Sequence, residues 1–395
     1  MKTPTRKSLV SAAAMMAAGA APVAADDIVI GFAVAQSGFM QAYDEPATQA
    51  ALIRIEEINA EGGILGRQLR PVFADTSSDR AEGARAGLEV IEEGADLVVV
   101  SCDYDFGAPA ALMAEASEKI SFFLCAESVR AGIQGVGPLS FSASVLAPVQ
   151  GATMVEWGHS TQGWENFYVL LDTWTEYNRG ICEGFDWKAP LIEGVNVVGR
   201  DTFVNDDASI ATQITRIRNL PEPPDAIMLC SMMPGVVSAI RQIRNAGIDV
   251  PILNGSGVDG SYWMDAVPGL SEFYIPVQGS IYGDDPDPEV EAFNQRFEER
   301  FGVRPSSQYA FPGYVMIDVW ARAVERAGTT DSQAVVAELN QFDNEPTLFG
   351  PRTFTSELHH QNQALYHIVR VDDGVPGVVD SWTISEPIPL EALLP

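Results

Sequence analysis

The side chains that could do chemistry in this chain are few and widely spaced. Four cysteines stand at 102, 125, 182 and 230, and four histidines at 159, 359, 360 and 367. None of the cysteines forms a CxxC pair, and the histidines offer no metal spacing beyond His359-His360, which reads as two polar loop residues. Neither a metal nor a cofactor is expected. Gly255-Ser-Gly-Val-Asp-Gly260 is a literal GxGxxG. A dinucleotide site needs a long helix directly after it and an acid about 20 residues on. Here Pro268-Gly269 interrupts the stretch and Tyr274-Ile-Pro-Val occupies the acid's place, so the match reads as a turn. GxSxG and HExxH are absent, and Cys102 and His159 lie in different parts of the chain, so a catalytic set is not expected. The remaining candidates are acids and soft or aromatic side chains in loops. Asp103, Glu127 and Asp259 suit an ammonium partner, and Asp103 and Asp105 suit a helix cap. Phe39, Met40, Tyr43, Tyr104, Phe106, Trp174, Tyr177, Met232, Met233, Tyr262 and Trp263 suit either the wall of a pocket or loop padding.

The elements that must position them can be read from periodicity. The apolar run Ile28–Val34 reads as a buried strand. A polar loop with Ser37 follows, then a helix from Pro46 with Ala47, Ala51, Ile55 and Ile58 on one face, closed by Asn59 and the Gly62-Gly63 pair. Strands at 69–74, 97–100 and 120–124 alternate with helices at 79–93 (Ala84, Leu88 and Ile91 inward) and 109–119. This βαβ alternation implies a parallel, doubly wound sheet. A second run of the same kind begins at Pro148, with strands at 167–171, 194–198, 226–230 and 251–254 and helices at 179–188, 207–218 and 234–246. Residues 275–281 are extended. Helices at 288–301, 307–327 and 332–341 then follow without strands between them, so they are expected to coat the first lobe. A strand at 365–371 and an irregular tail end the chain. Loops after parallel strands share one sheet edge, where ligands bind.

Gln36-Ser37-Gly38 and Tyr43, followed by Ile58-Asn-Ala-Glu-Gly-Gly-Ile-Leu-Gly-Arg67, resemble the opening of the periplasmic leucine/isoleucine/valine-binding protein family. These are type I substrate-binding proteins of ABC importers, and the resemblance continues more weakly over nearly the whole chain. It implies an α/β fold of two doubly wound parallel-sheet lobes joined by a three-crossing hinge, the type I periplasmic binding protein fold. Lobe 1 would comprise 26–145 and 282–350, and lobe 2 would comprise 146–281 and 351–395. It also implies that backbone N–H groups and hydroxyls at Cys102-Asp103-Tyr104 and Ala126-Glu127-Ser128 hold a ligand carboxylate, with Ser128 in the hydroxyl role. Tyr43 and Tyr177 match pocket tyrosines of the family. The family's glutamate for the ligand ammonium falls on Ser256, three residues before Asp259, and a further tyrosine falls on Met232 or Met233. Asp103 replaces a small residue or serine. With Ser37 and Trp174, these make up the expected ligand set. Asp103 is assigned to ligand, and Asp105 to capping the helix expected at Pro109.

Composition bounds the rest. Lys2, Arg6 and Lys7, an apolar stretch at 9–21 and Val23-Ala24-Ala25 form an export leader, residues 1–25, with cleavage before Asp26. Its removal takes the net charge from −30 to −33, which disfavours nucleic acid and anionic membrane as partners. Four cysteines allow three pairings in an exported chain. Cys102 and Cys125 end successive strands and are expected to lie close enough to bridge. The expectation is a periplasmic, monomeric binding protein with two partners, a small amino-acid-like or amine-containing solute and an ABC importer permease in the inner membrane. A sensor presenting its ligand to a receptor, an importer component for an aromatic acid or amide, and an exported enzyme are the alternatives.

Overall fold

The computed structural model describes residues 26–205 and 209–394. The expected leader at 1–25 lies outside them. The first sheet is built from β1 (Ile28–Val34), β2 (Leu69–Asp75), β3 (Leu97–Val100), β4 (Ile120–Phe123) and β5 (Ser140–Ser142), ordered β2-β1-β3-β4-β5 and parallel throughout. Ile28, Ile30 and Phe32 of β1 enter the core on one face, and Val29 and Ala33 enter the core on the other. That double burial is why β1 is apolar throughout rather than alternating. Helices α1 (Gln41–Ala60), α2 (Arg80–Glu92) and α3 (Tyr104–Ala116) make the crossovers.

The second sheet takes β6 (Asn166–Asp172), β7 (Asn196–Phe203), β8 (Ala226–Cys230), β9 (Ile252–Leu253), β10 (Phe273–Val277), β11 (Tyr366–Asp372) and β12 (Val375–Trp382), ordered β12-β11-β10-β9-β8-β6-β7. Strands β7-β6-β8-β9-β10 pair in parallel, and β10-β11-β12 pair antiparallel. Its helices are α4 (Ala147–Gln162), α5 (Glu176–Lys188), α6 (Ala211–Arg218) and α7 (Gly235–Asn245). Then α8 (Pro288–Phe301), α9 (Ala310–Ala327) and α10 (Ser332–Leu339) return to the first lobe. There Arg54 of α1 pairs with Asp318 of α9 at 3.0 Å, and Tyr314 donates to Glu57 at 2.6 Å.

Several elements differ from the expectation. Helix α1 begins five residues before Pro46 and α3 begins at Tyr104, so Pro46 and Pro109 lie inside helices. The inward face of α2 is Gly83, Ala86, Gly87 and Val90, while Leu88 is 45% exposed. Helix α2 lies so close to α3 that a Cβ at Gly87 would come within 2.8 Å of Ala110 Cα, so glycine faces inward where leucine would not fit. The tail is not irregular: β12 forms a hairpin with β11.

Residues 352–361 lie along β5. His359 stacks on Phe141 at 3.7 Å, Phe354 packs on Phe141 at 5.5 Å, and Ser142 N–H donates to the His359 carbonyl at 3.1 Å. They cover the edge of a three-residue strand that would otherwise be bare. Arg352 ties its segment to two others distant in sequence: its guanidinium, 1% exposed, donates to the Ala143 carbonyl (2.5 Å), Gln278 Oε1 (3.1 Å) and the Pro351 carbonyl (2.9 Å). Two disulfides staple the lobes internally, Cys102–Cys125 between the ends of β3 and β4, and Cys182–Cys230 between α5 and β8.

Candidate functional site

The carboxyl ends of the parallel strands of both sheets face one another. Lobe 1 contributes Met40 and Tyr43 at the start of α1, Cys102 and Asp103 after β3, Cys125 and Glu127 after β4, and Tyr309 immediately before α9. Lobe 2 contributes Tyr177 from the first turn of α5, Met232 after β8 and Gly257 after β9. Between them lies a cavity of about 20 Å³, room for about one water molecule.

Hydrogen bonds around it run both between the lobes and within each of them. The Tyr43 hydroxyl accepts from Met233 N–H and donates to the Gly257 carbonyl, both at 3.1 Å. Tyr177 accepts from Gly257 N–H at 2.7 Å and donates to Gln150 Oε1 at 3.1 Å. Glu127, 2% exposed, accepts from Ser256 Oγ at 3.2 Å and from the Tyr309 hydroxyl at 3.0 Å. Beside the cavity, Phe39 and Phe106 of lobe 1 pack on Trp174 of lobe 2 at 5.1 and 5.9 Å. Asp105 accepts from Glu176 N–H at 2.9 Å, and Arg130 pairs with Glu176 at 3.3 Å.

Burial governs the electrostatics. It raises Glu127 to about 8 against the hydroxyl hydrogen bonds that favour its charged form. It also raises Asp103 to about 8, helped by the nearby charge of Asp105, and Asp259 to about 7. Neither lysine nor arginine is among the described residues that line the cavity.

Of the expected ligand set, Tyr43, Cys102, Asp103, Glu127, Tyr177 and Met232 meet at the cavity, and Ser256 adjoins it through Glu127. Six others do not line it. Ser37 donates to Asp75 in an exposed loop. Tyr104 stacks on Phe123 inside lobe 1, and Ala126 sits in the same core. Trp174 is held in the aromatic contact between lobes. The Ser128 hydroxyl accepts from Arg130 N–H and borders a separate recess with Pro148 and Trp187. Asp259 accepts from Ser307 Oγ at 2.6 Å and from Gln308 N–H, which positions Tyr309. The helix cap falls on Asp103, which also lines the cavity, and not on Asp105. Asp103 is the N-cap of α3 and accepts from Asp105 N–H at 2.8 Å, while Asp105 pairs with Arg80 at 3.0 Å and bridges to lobe 2. The reason is that α3 starts five residues earlier than Pro109 indicates. Tyr309 was not anticipated; the hydrogen bond that brings it to Glu127 spans 182 residues.

Two α/β lobes, a three-segment hinge and a site walled from both sides define a two-lobed binding protein that closes over its site. The family profile described as periplasmic binding protein matches residues 27–375. The chain belongs to that family. It is 23% identical over 365 residues to the Leu/Ile/Val-binding protein BraC3 of Rhizobium johnstonii, covering 88% of this chain and 93% of the relative. It is 24% identical to the leucine-, isoleucine-, valine-, threonine- and alanine-binding protein of Pseudomonas aeruginosa, covering 86% and 89%. Among solved structures, the branched-chain amino acid transporter substrate-binding protein LivJ of Streptococcus pneumoniae, in complex with isoleucine, shares the fold. It has a TM-score of 0.78 at 21% identity, over 90% of this chain and 99% of that one. A solute-binding protein of Rhodopseudomonas palustris in complex with 3,4-dihydroxybenzoic acid shares it too, with a TM-score of 0.73 at 16% identity, over 91% and 98%.

Proposed function

We propose that this chain is the exported substrate-binding component of an ABC importer and that it binds a small amino-acid-like or amine-containing solute at the cavity. The observation that carries the reading is that both lobes wall one cavity: Tyr43, Glu127 and Tyr309 on one side, Tyr177, Met232 and Gly257 on the other. A solute stabilises closure only through contacts it makes better in the closed state, and a site shared between lobes provides them. The closed form is what the permease then recognises. The relatives' names point to amino acids, and export into the periplasm follows from the leader. The mature chain acts as a monomer in this reading.

A thermal-shift screen against amino acids, amines, amides and aromatic acids tests it. A solute at a hundred times its Kd should stabilise by roughly 2.7 kcal/mol. Calorimetry should then give one solute per chain, recovered unaltered, and a strain lacking the gene should lose uptake of that solute. Chemical turnover of the solute, or intact uptake without the gene, would count against the proposal.

A further inference from the structure

The lobe-1 surface that would receive a ligand carboxylate is poorly suited to an anion. Cys102 N–H, at the end of β3, donates to the Asp44 carboxylate at 2.8 Å and so already has an acceptor. The Ser128 hydroxyl borders another recess. Two acids, Asp103 and Glu127, line the cavity at the ends of β3 and β4. A ligand carboxylate placed there would be a buried charge with no lysine or arginine among the described lining residues to pair with, and it would disfavour ionisation of both neighbouring acids.

The opposite holds for an ammonium group. The resemblance puts the family's ammonium-binding glutamate at Ser256 on lobe 2, where this chain has only a hydroxyl. Glu127 reaches across from lobe 1 to within 3.2 Å of that hydroxyl, so a carboxylate occupies the space from the other side. It accepts from the hydroxyls of Ser256 and Tyr309, both neutral donors. The rings of Tyr43, Tyr177 and Tyr309 and the thioethers of Met40 and Met232 complete the wall, a lining that suits alkyl groups and a cation near aromatic faces.

We infer that the cleft takes a small organic cation that carries no carboxylate, its ammonium held by Glu127 against Ser256 and Tyr309, in preference to a zwitterionic amino acid. The inference rests on the binding-protein reading and narrows its solute class.

Matched probes separate the two levels. Calorimetry and thermal shift on the mature chain would compare ethylamine with alanine and isobutylamine with valine, with propionate and propionamide as anionic and neutral controls. The expected result is that each amine binds at least tenfold more tightly than its carboxylated counterpart and that propionate does not bind. Glu127→Gln should remove the amine preference while leaving the protein folded. The comparison within the wild-type protein stands even if the variant folds poorly. Alanine or valine binding as tightly as the amines would overturn the inference, as would a preference for propionamide or no response to any amine. If the library screen still finds another solute bound one to one, only this inference fails. If nothing in the library binds, the binding-protein reading fails with it.

Discussion

Tyr43 is the side chain whose loss should most cleanly separate closure from folding. It belongs to lobe 1, and its hydroxyl engages two backbone groups of lobe 2, the Met233 N–H and the Gly257 carbonyl, each at 3.1 Å. In an open protein water would satisfy both groups, so the bonds count towards closure rather than towards the fold of either lobe. A typical intramolecular hydrogen bond contributes about 1 kcal/mol net, so Tyr43→Phe should destabilise the closed form by about 2 kcal/mol. Each 1.4 kcal/mol is a factor of ten, which makes the expected loss of solute affinity about thirtyfold. The phenylalanine ring keeps its edge contact with Tyr309, 6.0 Å between centroids, so packing is little disturbed. Calorimetry with the solute found by screening measures the affinity, and small-angle scattering with and without solute measures compaction. The unliganded melting temperature should change little. An affinity within twofold of wild type would refute the claim that these bonds hold the lobes together.

Three further outcomes are expected. Replacing Cys102 and Cys125 by serine removes a cross-link closing a loop of 23 residues, and denaturant unfolding should show a loss of about 3 kcal/mol; an unchanged midpoint would contradict it. Asp103→Ala removes the N-cap of α3 and should lower stability by about 1 kcal/mol, whereas Asp105→Ala frees Glu176 N–H and should weaken solute binding more than it lowers the melting temperature. If the melting temperature falls more in Asp105→Ala than in Asp103→Ala, the assignment of the cap to Asp103 is wrong. Burial raises Glu127 from the ordinary 4.5 to about 8. Between those values the unfolded chain releases the proton and the folded chain keeps it, so stability falls as pH rises from about 5 and the loss is complete above about 8. Glu127→Gln should therefore stabilise the unliganded protein more at pH 8 than at pH 5; an equal or reversed difference in melting temperature would count against it.

Much of the architecture was legible because it depends on local pattern. Strands buried on both faces, such as β1, read as continuous apolar runs, and α1 showed its inward face through Ala47, Ala51, Ile55 and Ile58. Proximity of Cys102 and Cys125 followed from their places at the ends of neighbouring strands. The misread parts depended on information outside the local window. Pro46 and Pro109 look like helix starts but lie inside helices, and with Pro109 misplaced the cap was assigned to Asp105 instead of Asp103. The inward face of α2 is set by how closely α3 approaches Gly87, which no periodicity in α2 reveals. The β11–β12 hairpin did leave a signal: Asp373-Gly374, both at positive φ (50° and 77°), is a two-residue turn of the kind that joins antiparallel strands. Pro376 and Gly377 inside β12 obscured it. At the site, the sequence identified the strand ends that face the cleft but could not tell which neighbouring side chain turns inward. Glu127 enters and Ser128 turns away because the Ser128 hydroxyl accepts the Arg130 N–H.

Native mass spectrometry of the protein recovered from the cells that produce it tests the central claim most directly. The account predicts one small solute per chain, released unaltered on unfolding, and lost or strongly reduced in a variant with Tyr43 and Tyr177 both replaced by alanine. A solute retained in full by that variant would contradict the assignment of the cavity between the lobes.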